Sequence, residues 1–161
     1  TVKAAITMDG RTARPDGSSK WITSEAARED ARRLRAECGA VMVGYRTVLA
    51  DDPGLDARIE GPPNPVTKVI VDPHGRLTGS ERAFVTPGET VVLRSELDPE
   101  SVLRELFDRG ITSVLLEGGA RTISRFLPVA REVVLYMAPK TWGDGPVWFS
   151  PGSLDESEWT W

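Results

Sequence analysis

Cysteine, histidine and long apolar runs are nearly absent from this sequence. A single cysteine, Cys38, in 161 residues excludes an internal disulfide and a thiolate metal cluster. A single histidine, His74, excludes any two-histidine metal site, so no metal is expected. A Cys–His nucleophile pair reduces to Cys38 with His74. Cys38 falls at the predicted end of a helix, away from the helix start where thiols are activated, and reads as a small structural residue. No segment approaches the roughly 20 apolar residues of a membrane span. No signal peptide is visible, so the expected compartment is the cytoplasm. Positive charge is not in excess either. A net charge of -4 and a pI near 5.1 leave no electrostatic footprint for nucleic acid.

What is present is the composition of one soluble domain, 40% hydrophobic and 27% charged, long enough for a sizeable core. Val2–Thr7 reads as a first strand, followed by an Asp9-Gly10 turn and a Pro/Gly/Ser loop over 14–20. Thr23 or Ser24 caps a helix over 25–38, with Ala27, Ala31, Leu34 and Cys38 as its apolar stripe. Ala40–Val43 is short and β-branched enough to be a buried strand. Gly44 ends it, Tyr45–Ala50 gives one or two helical turns, and Asp51-Asp52-Pro53 stops them. Further strands are predicted over 67–72, 82–85, 90–93, 112–116 and 132–137. Helices are predicted from Asp98-Pro99 to Gly110 and over 121–127. Strands alternating with helices predict an α/β domain over 1–161 with a mostly parallel, doubly wound sheet flanked by helices. Trp142, Trp148, Trp159 and Trp161 crowd the tail and suit a hairpin closing the sheet or a partner surface.

Ligands of open α/β sheets bind beyond the carboxyl ends of strands. Thr47, Asp51, Asp72 and Glu117 all fall at or just after predicted strands. Carboxylates there hold hydroxyls or relay protons, or simply cap turns. In Leu116-Glu117-Gly118-Gly119-Ala120, two glycines end a buried strand and open a helix. That turn brings backbone N–H groups close to a phosphate, or is merely tight. It is not the G-x-G-x-x-G pattern of dinucleotide folds. Lys3, Arg35 and Arg58 are isolated cations suited to a substrate phosphate, although Arg35 shares helical spacing with Arg28 and Arg32 and also fits a solvated face.

Five motifs occur in order: Asp9-Gly10-Arg11-Thr12-Ala13, Lys20-Trp21-Ile22-Thr23-Ser24, Val48-Leu49-Ala50-Asp51-Asp52-Pro53, Leu116-Glu117-Gly118-Gly119-Ala120 and Ala138-Pro139-Lys140. Together they resemble the reductase domain of the bacterial riboflavin-biosynthesis deaminase/reductase, RibD, over residues 2–148. The resemblance implies a dihydrofolate-reductase-like fold. It implies NADPH-dependent reduction of 5-amino-6-(5-phosphoribosylamino)uracil, with hydride delivered to the ribose C1′ of the ring-opened imine. It implies an enzyme, commonly a homodimer, whose partner is a phosphorylated ribosylaminopyrimidine or an analogue.

Carried over by position, Ala5, Trp21, Thr47 and Asp51 line the nicotinamide and its ribose. Gly118, Gly119, Ala120, Arg121 and Thr122 wrap the pyrophosphate, in a segment reaching to Arg125. Ser19, Arg35, Leu55 and Arg58 hold the substrate, and Glu117 meets it near the hydride path. Lys3, Asp51 and Glu117 are the implied catalytic groups, Asp51 orienting the ribose or assisting proton transfer.

The chain departs from the family pattern in four places. The deaminase motifs H-x-E and P-C-x-x-C are absent. Pro73 stands where a hydroxyl residue is usual near the cofactor 2′-phosphate, which leaves NADH open beside NADPH. Phe126–Glu132 is short before its strand and contains Pro128. The family's final strand is unaccounted for after Trp161. A same-fold reductase of a pterin-like or natural-product substrate, and a non-catalytic nucleotide-binding or interaction module, stand as alternatives.

Overall fold

The structure, a computed structural model, describes residues 1–57, 65–94 and 98–149. Six parallel strands form one sheet: β1 (Val2–Thr7), β2 (Ala40–Gly44), β3 (Thr67–Val71), β4 (Thr90–Leu93), β5 (Val114–Leu116) and β6 (Val133–Ala138). Their order across the sheet is β4-β3-β2-β5-β1-β6. The helices are α1 (Glu25–Glu37), α2 (Tyr45–Asp51), α3 (Arg82–Val85), α4 (Pro99–Asp108) and α5 (Ala120–Phe126). The predicted α/β class and parallel sheet are therefore observed. Among the described residues, no helix is long and apolar enough to cross a membrane.

The two faces of the sheet are legible in β2, which is buried along its whole length. Successive strand residues point to opposite faces. Ala40 and Met42 join one core with Val102 and Leu106 of α4 and Ile123 and Phe126 of α5. Val41 and Val43 join the other with Val48 of α2 and Ala83 of α3. Burying Val41, Met42 and Val43 contributes about 1.5–3 kcal/mol each, and the run lies at the centre of the sheet, flanked by β3 and β5. Lys68, in β3, is fully buried beside the second core. Its Nζ donates to the Thr86 carbonyl at 2.7 Å and to Thr86 Oγ1 at 3.1 Å. Burial pulls its ammonium below the usual lysine range, against the opposing charge of Asp56.

The caps follow the sequence. Ser24 Oγ accepts from Ala27 N at 3.3 Å at the start of α1. Asp98 accepts from Ser101 N at 3.1 Å, with Pro99 opening α4. One predicted strand is wrong: Arg82–Val85 is a helical turn. A four-residue apolar run does not distinguish strand from helix by periodicity. Here Asp52 Oδ1 accepts the Arg82 N–H at 2.8 Å, Ala83 turns into the core, and β4 takes the outer place in the sheet. The strand predicted over 112–116 begins only at Val114. Pro128 is accommodated in a 3-10 turn, Leu127–Val129, directly after α5. In the tail, Val147 makes one antiparallel bridge to Arg11, and Trp148 packs edge-on against Phe149 at 4.5 Å. Trp159 and Trp161 lie outside the described residues.

Candidate active site

The sheet splits where β5 ends. β5 lies between β2 and β1, in register with Ala40–Met42, but meets β1 at Val2↔Leu116 alone. Glu117 N donates to the Met42 carbonyl at 2.9 Å and the chain then leaves the sheet. Past that point, among the described residues, Lys3–Thr7 of β1 pair with β6 only and Val43–Gly44 of β2 with β3 only. The slot between them opens into a cavity of about 610 Å³, the size of a small-molecule site.

Three glycines let the walls of the slot close up. A Cβ on Gly44 would lie 2.5 Å from Thr122 Oγ1, and Cβ atoms on Gly118 and Gly119 would lie 3.2 Å from the Thr47 side chain. Gly119 has φ +77°, a conformation that side chains rarely adopt. The turn 117–120 thus lies directly against the start of α2, with its backbone facing the cavity.

Most of the expected positions come together here. Lys3 and Ala5 line the cavity from β1, and Ser19 and Trp21 from the loop before α1. Arg35 enters from α1, and Thr47, Asp51 and Leu55 from α2 and the turn after it. Glu117, Gly118, Gly119 and Ala120 close the far wall. Arg121 and Thr122 are not part of this lining, and Thr122 packs behind the turn against Gly44. Arg58 lies outside the described residues. Asp72 is not at the cavity. It is fully buried and accepts from Arg76 N at 3.0 Å, Leu77 N at 3.2 Å and Arg94 Nη1 at 3.3 Å, so it holds its own loop.

The floor of the cavity carries an ionic trio that sequence spacing did not reveal. Glu117, its side chain 4% exposed, accepts a two-pronged bond from Arg35, one prong from Nε and one from Nη2 at 2.6 Å. Lys3 Nζ donates to the same carboxylate at 3.4 Å. The third arm of Arg35, Nη1, donates to the Asp56 carbonyl at 3.0 Å. Burial pushes the Glu117 carboxyl up, but Lys3 and Arg35 outweigh it and hold the group below the usual carboxylate range. For Arg35, burial is likewise overcome by Glu117, which holds the guanidinium above its ordinary value. The trio sets one carboxylate against two cations, and the charge of Asp56 also acts on Arg35.

Two further contacts were invisible from spacing. Tyr136, beside Ala5 in the β1–β6 register, donates from Oη to Asp30 Oδ2 at 2.7 Å. Burial, then the hydrogen bond to Asp30, pushes its phenol upward. Arg28 lies over the Trp21 ring at 4.3 Å. The remaining ionisable candidates stay structural. The Cys38 thiol is pushed up by burial, and His74 sits edge-on against Tyr45 at 6.1 Å. Among the described residues, no cluster of His, Cys, Asp and Glu suits a metal ion.

Comparison with known proteins agrees with this geometry. The family model for the RibD C-terminal domain matches residues 1–160. The riboflavin biosynthesis protein RibD of Mycobacterium tuberculosis is 42% identical over 157 residues, covering 91% of this chain and 43% of that protein. A crystal structure from Thermotoga maritima, described as a diaminohydroxyphosphoribosylaminopyrimidine deaminase/5-amino-6-(5-phosphoribosylamino)uracil reductase, superposes with a TM-score of 0.88 at 34% identity. It covers 97% of this chain and 49% of that one. Dihydrofolate reductase from Enterococcus faecalis, solved with NADP(H), superposes at 0.57 and 14% identity over 92% of this chain and 75% of its own, a likeness of fold alone. The chain spans about half the length of the curated relatives it matches. On the match over nearly its whole length, this chain belongs to the RibD C-terminal domain family.

Proposed function

We propose that this domain reduces 5-amino-6-(5-phosphoribosylamino)uracil, or a close analogue, with NADPH, delivering hydride to the ribose C1′. The observation that carries the reading is convergence. Twelve residues expected from the resemblance in separate parts of the sequence line one cavity at the split in the sheet.

The residues present fit a dinucleotide. A side chain on Gly118 or Gly119 would press on Thr47, so the turn keeps bare backbone against the cavity where a pyrophosphate needs it. Thr47 in the first turn of α2 and Asp51 at its end hold the nicotinamide ribose. When bound, the nicotinamide supplies the hydride. The choice of NADPH over NADH is supported by the cations near the Asp72–Arg76 loop. Arg94 reaches Asp72, and Arg46 lies over Tyr45, which packs on His74. With Arg94 already paired to Asp72, Arg46 is the cation that offers charge where Pro73 offers no hydroxyl.

The chain's own part in the reaction is orientation and charge. Glu117, kept ionised by Arg35 and Lys3, accepts hydrogen bonds from the ribityl hydroxyls without competing for the proton of the reaction. Hydride arriving at C1′ sends the C=N electron pair to the imine nitrogen, which takes up a proton, and the positive charge of Lys3 favours that build-up of electrons. Asp51, at the exposed rim, sets the ribose or passes a proton inward.

A second reading, a same-fold reductase of another substrate, is favoured by Arg35. Each of its three nitrogens already donates one hydrogen bond, to Glu117 or to the Asp56 carbonyl, which leaves only one N–H on each Nη for a phosphate. The test is oxidation of NADPH by the purified protein, with the phosphoribosylaminouracil generated in situ by a separate deaminase. Turnover supports the first reading. Saturable NADPH binding without turnover favours the second, and neither binding nor turnover overturns both.

A further inference from the structure

We propose that Arg28 is a positioning residue for Trp21, and that it thereby sets the grip of the site on the nicotinamide end of the dinucleotide. The inference rests on the cofactor reading above. Trp21 is 64% exposed, yet it is held from two directions. The Arg28 guanidinium lies 4.3 Å from the ring centroid. In its own plane that guanidinium donates from Nη1 to the Thr23 carbonyl at 2.7 Å and from Nη2 to Glu25. Glu25 is steadied in turn by Arg32 Nη2 at 2.9 Å. Lys140 Nζ, beyond β6, donates to the Trp21 carbonyl at 3.0 Å.

The arrangement uses the shape of arginine. Hydrogen bonds in the guanidinium plane leave its flat face for the indole. A solvated helix face accounts for the pairing with Glu25. It does not account for the bond to the Thr23 carbonyl or the stacking on Trp21. Both Arg28 and Trp21 line the cavity, so the indole is a ready-made wall rather than a surface side chain ordered only on binding. Ordering it in advance lowers the entropy cost of binding whatever packs against it.

The experiment compares binding of NADPH and of 2′,5′-ADP, which has no nicotinamide, to wild type, R28A, R28K, W21A and the R28A/W21A double variant by calorimetry. R28A is expected to weaken NADPH about threefold to tenfold and to leave 2′,5′-ADP unchanged. R28A is expected to add nothing on the W21A background, and R28K to recover part of the loss. Unchanged NADPH affinity in R28A, equal weakening of both ligands, or full additivity with W21A overturns the proposal. Acrylamide quenching of the Trp21 fluorescence, taken as wild type minus W21F, needs no ligand. Greater quenching in R28A supports the hold on Trp21 even where wild type binds no dinucleotide, a result that overturns the cofactor reading instead. Unchanged quenching overturns the hold itself.

Discussion

Helix α1 carries two sets of charges that look alike in sequence and differ in surroundings. On its outer side, Arg33 pairs with Glu29 at 2.6 Å, with side chains 64% and 53% exposed. Seven residues of rise away from Arg28, Arg35 meets Glu117 with side chains 20% and 4% exposed. The outer pair keeps both charges in water, where screening and side-chain entropy leave little net gain. The inner pair is largely desolvated, so Glu117 depends on Arg35 and Lys3 to remain charged at tolerable cost. The same residue types therefore form a solvated pair on one side of a helix and an anchored charge at the floor of a cavity on the other.

Glu117→Gln leaves Arg35 and Lys3 without their counter-charge, and is expected to cost about 3 kcal/mol of stability. The readout is a lower urea midpoint at unchanged slope, together with loss of turnover. A cost no larger than that of an exposed pair would show that the trio is effectively in solvent. Next is Asp51→Asn, at the exposed rim. It is expected to lower turnover about 100-fold while the unfolding free energy stays within about 0.5 kcal/mol. Wild-type rates in this variant would remove Asp51 from the catalytic set.

Acid titration probes the inner pair without deleting it. Glu117 is held below its unfolded value, so between the two values the unfolded chain binds more protons and stability rises with pH. Its contribution is present above the ordinary glutamate value near 4.3 and is lost as pH falls through the lower folded one. Denaturation free energies from pH 7 downward are expected to fall more steeply below that point in wild type than in Glu117→Gln. Parallel curves would assign the acid sensitivity to other carboxylates. The smallest effect belongs to Glu29→Gln, expected to cost less than about 0.5 kcal/mol and to vanish in molar salt. A larger, salt-resistant loss would mean that the outer side of α1 is not the simple solvated face described.

Much of the fold was legible because single residues announce it. Gly44, Pro53, Ser24 and the Asp98-Pro99 pair mark boundaries through backbone chemistry that acts locally, and the structure places helix ends at or beside each of them. Arg82–Val85 failed because its state depends on a carboxylate thirty positions away at Asp52. Lys68 sits in a run that reads correctly as a strand, but nothing local says that its ammonium meets Thr86. In the candidate site, the glycine turn and the strand-end residues were readable as types. Arg35 was readable as a cation, not as the partner of Glu117 82 positions later.

By itself, then, the sequence determined the alternation of strands and helices, the caps, the glycine turn and the membership of a family. These rest on torsion preferences and on periodicity, which reach only a few residues. The tertiary structure alone decided that β5 stops at the very residue where it meets β1, so that the sheet splits and a cavity forms. It alone decided which arginine of α1 is desolvated and which carboxylate it serves. Charge pairing in low dielectric depends on distance in space, and that distance exists only once the chain has folded.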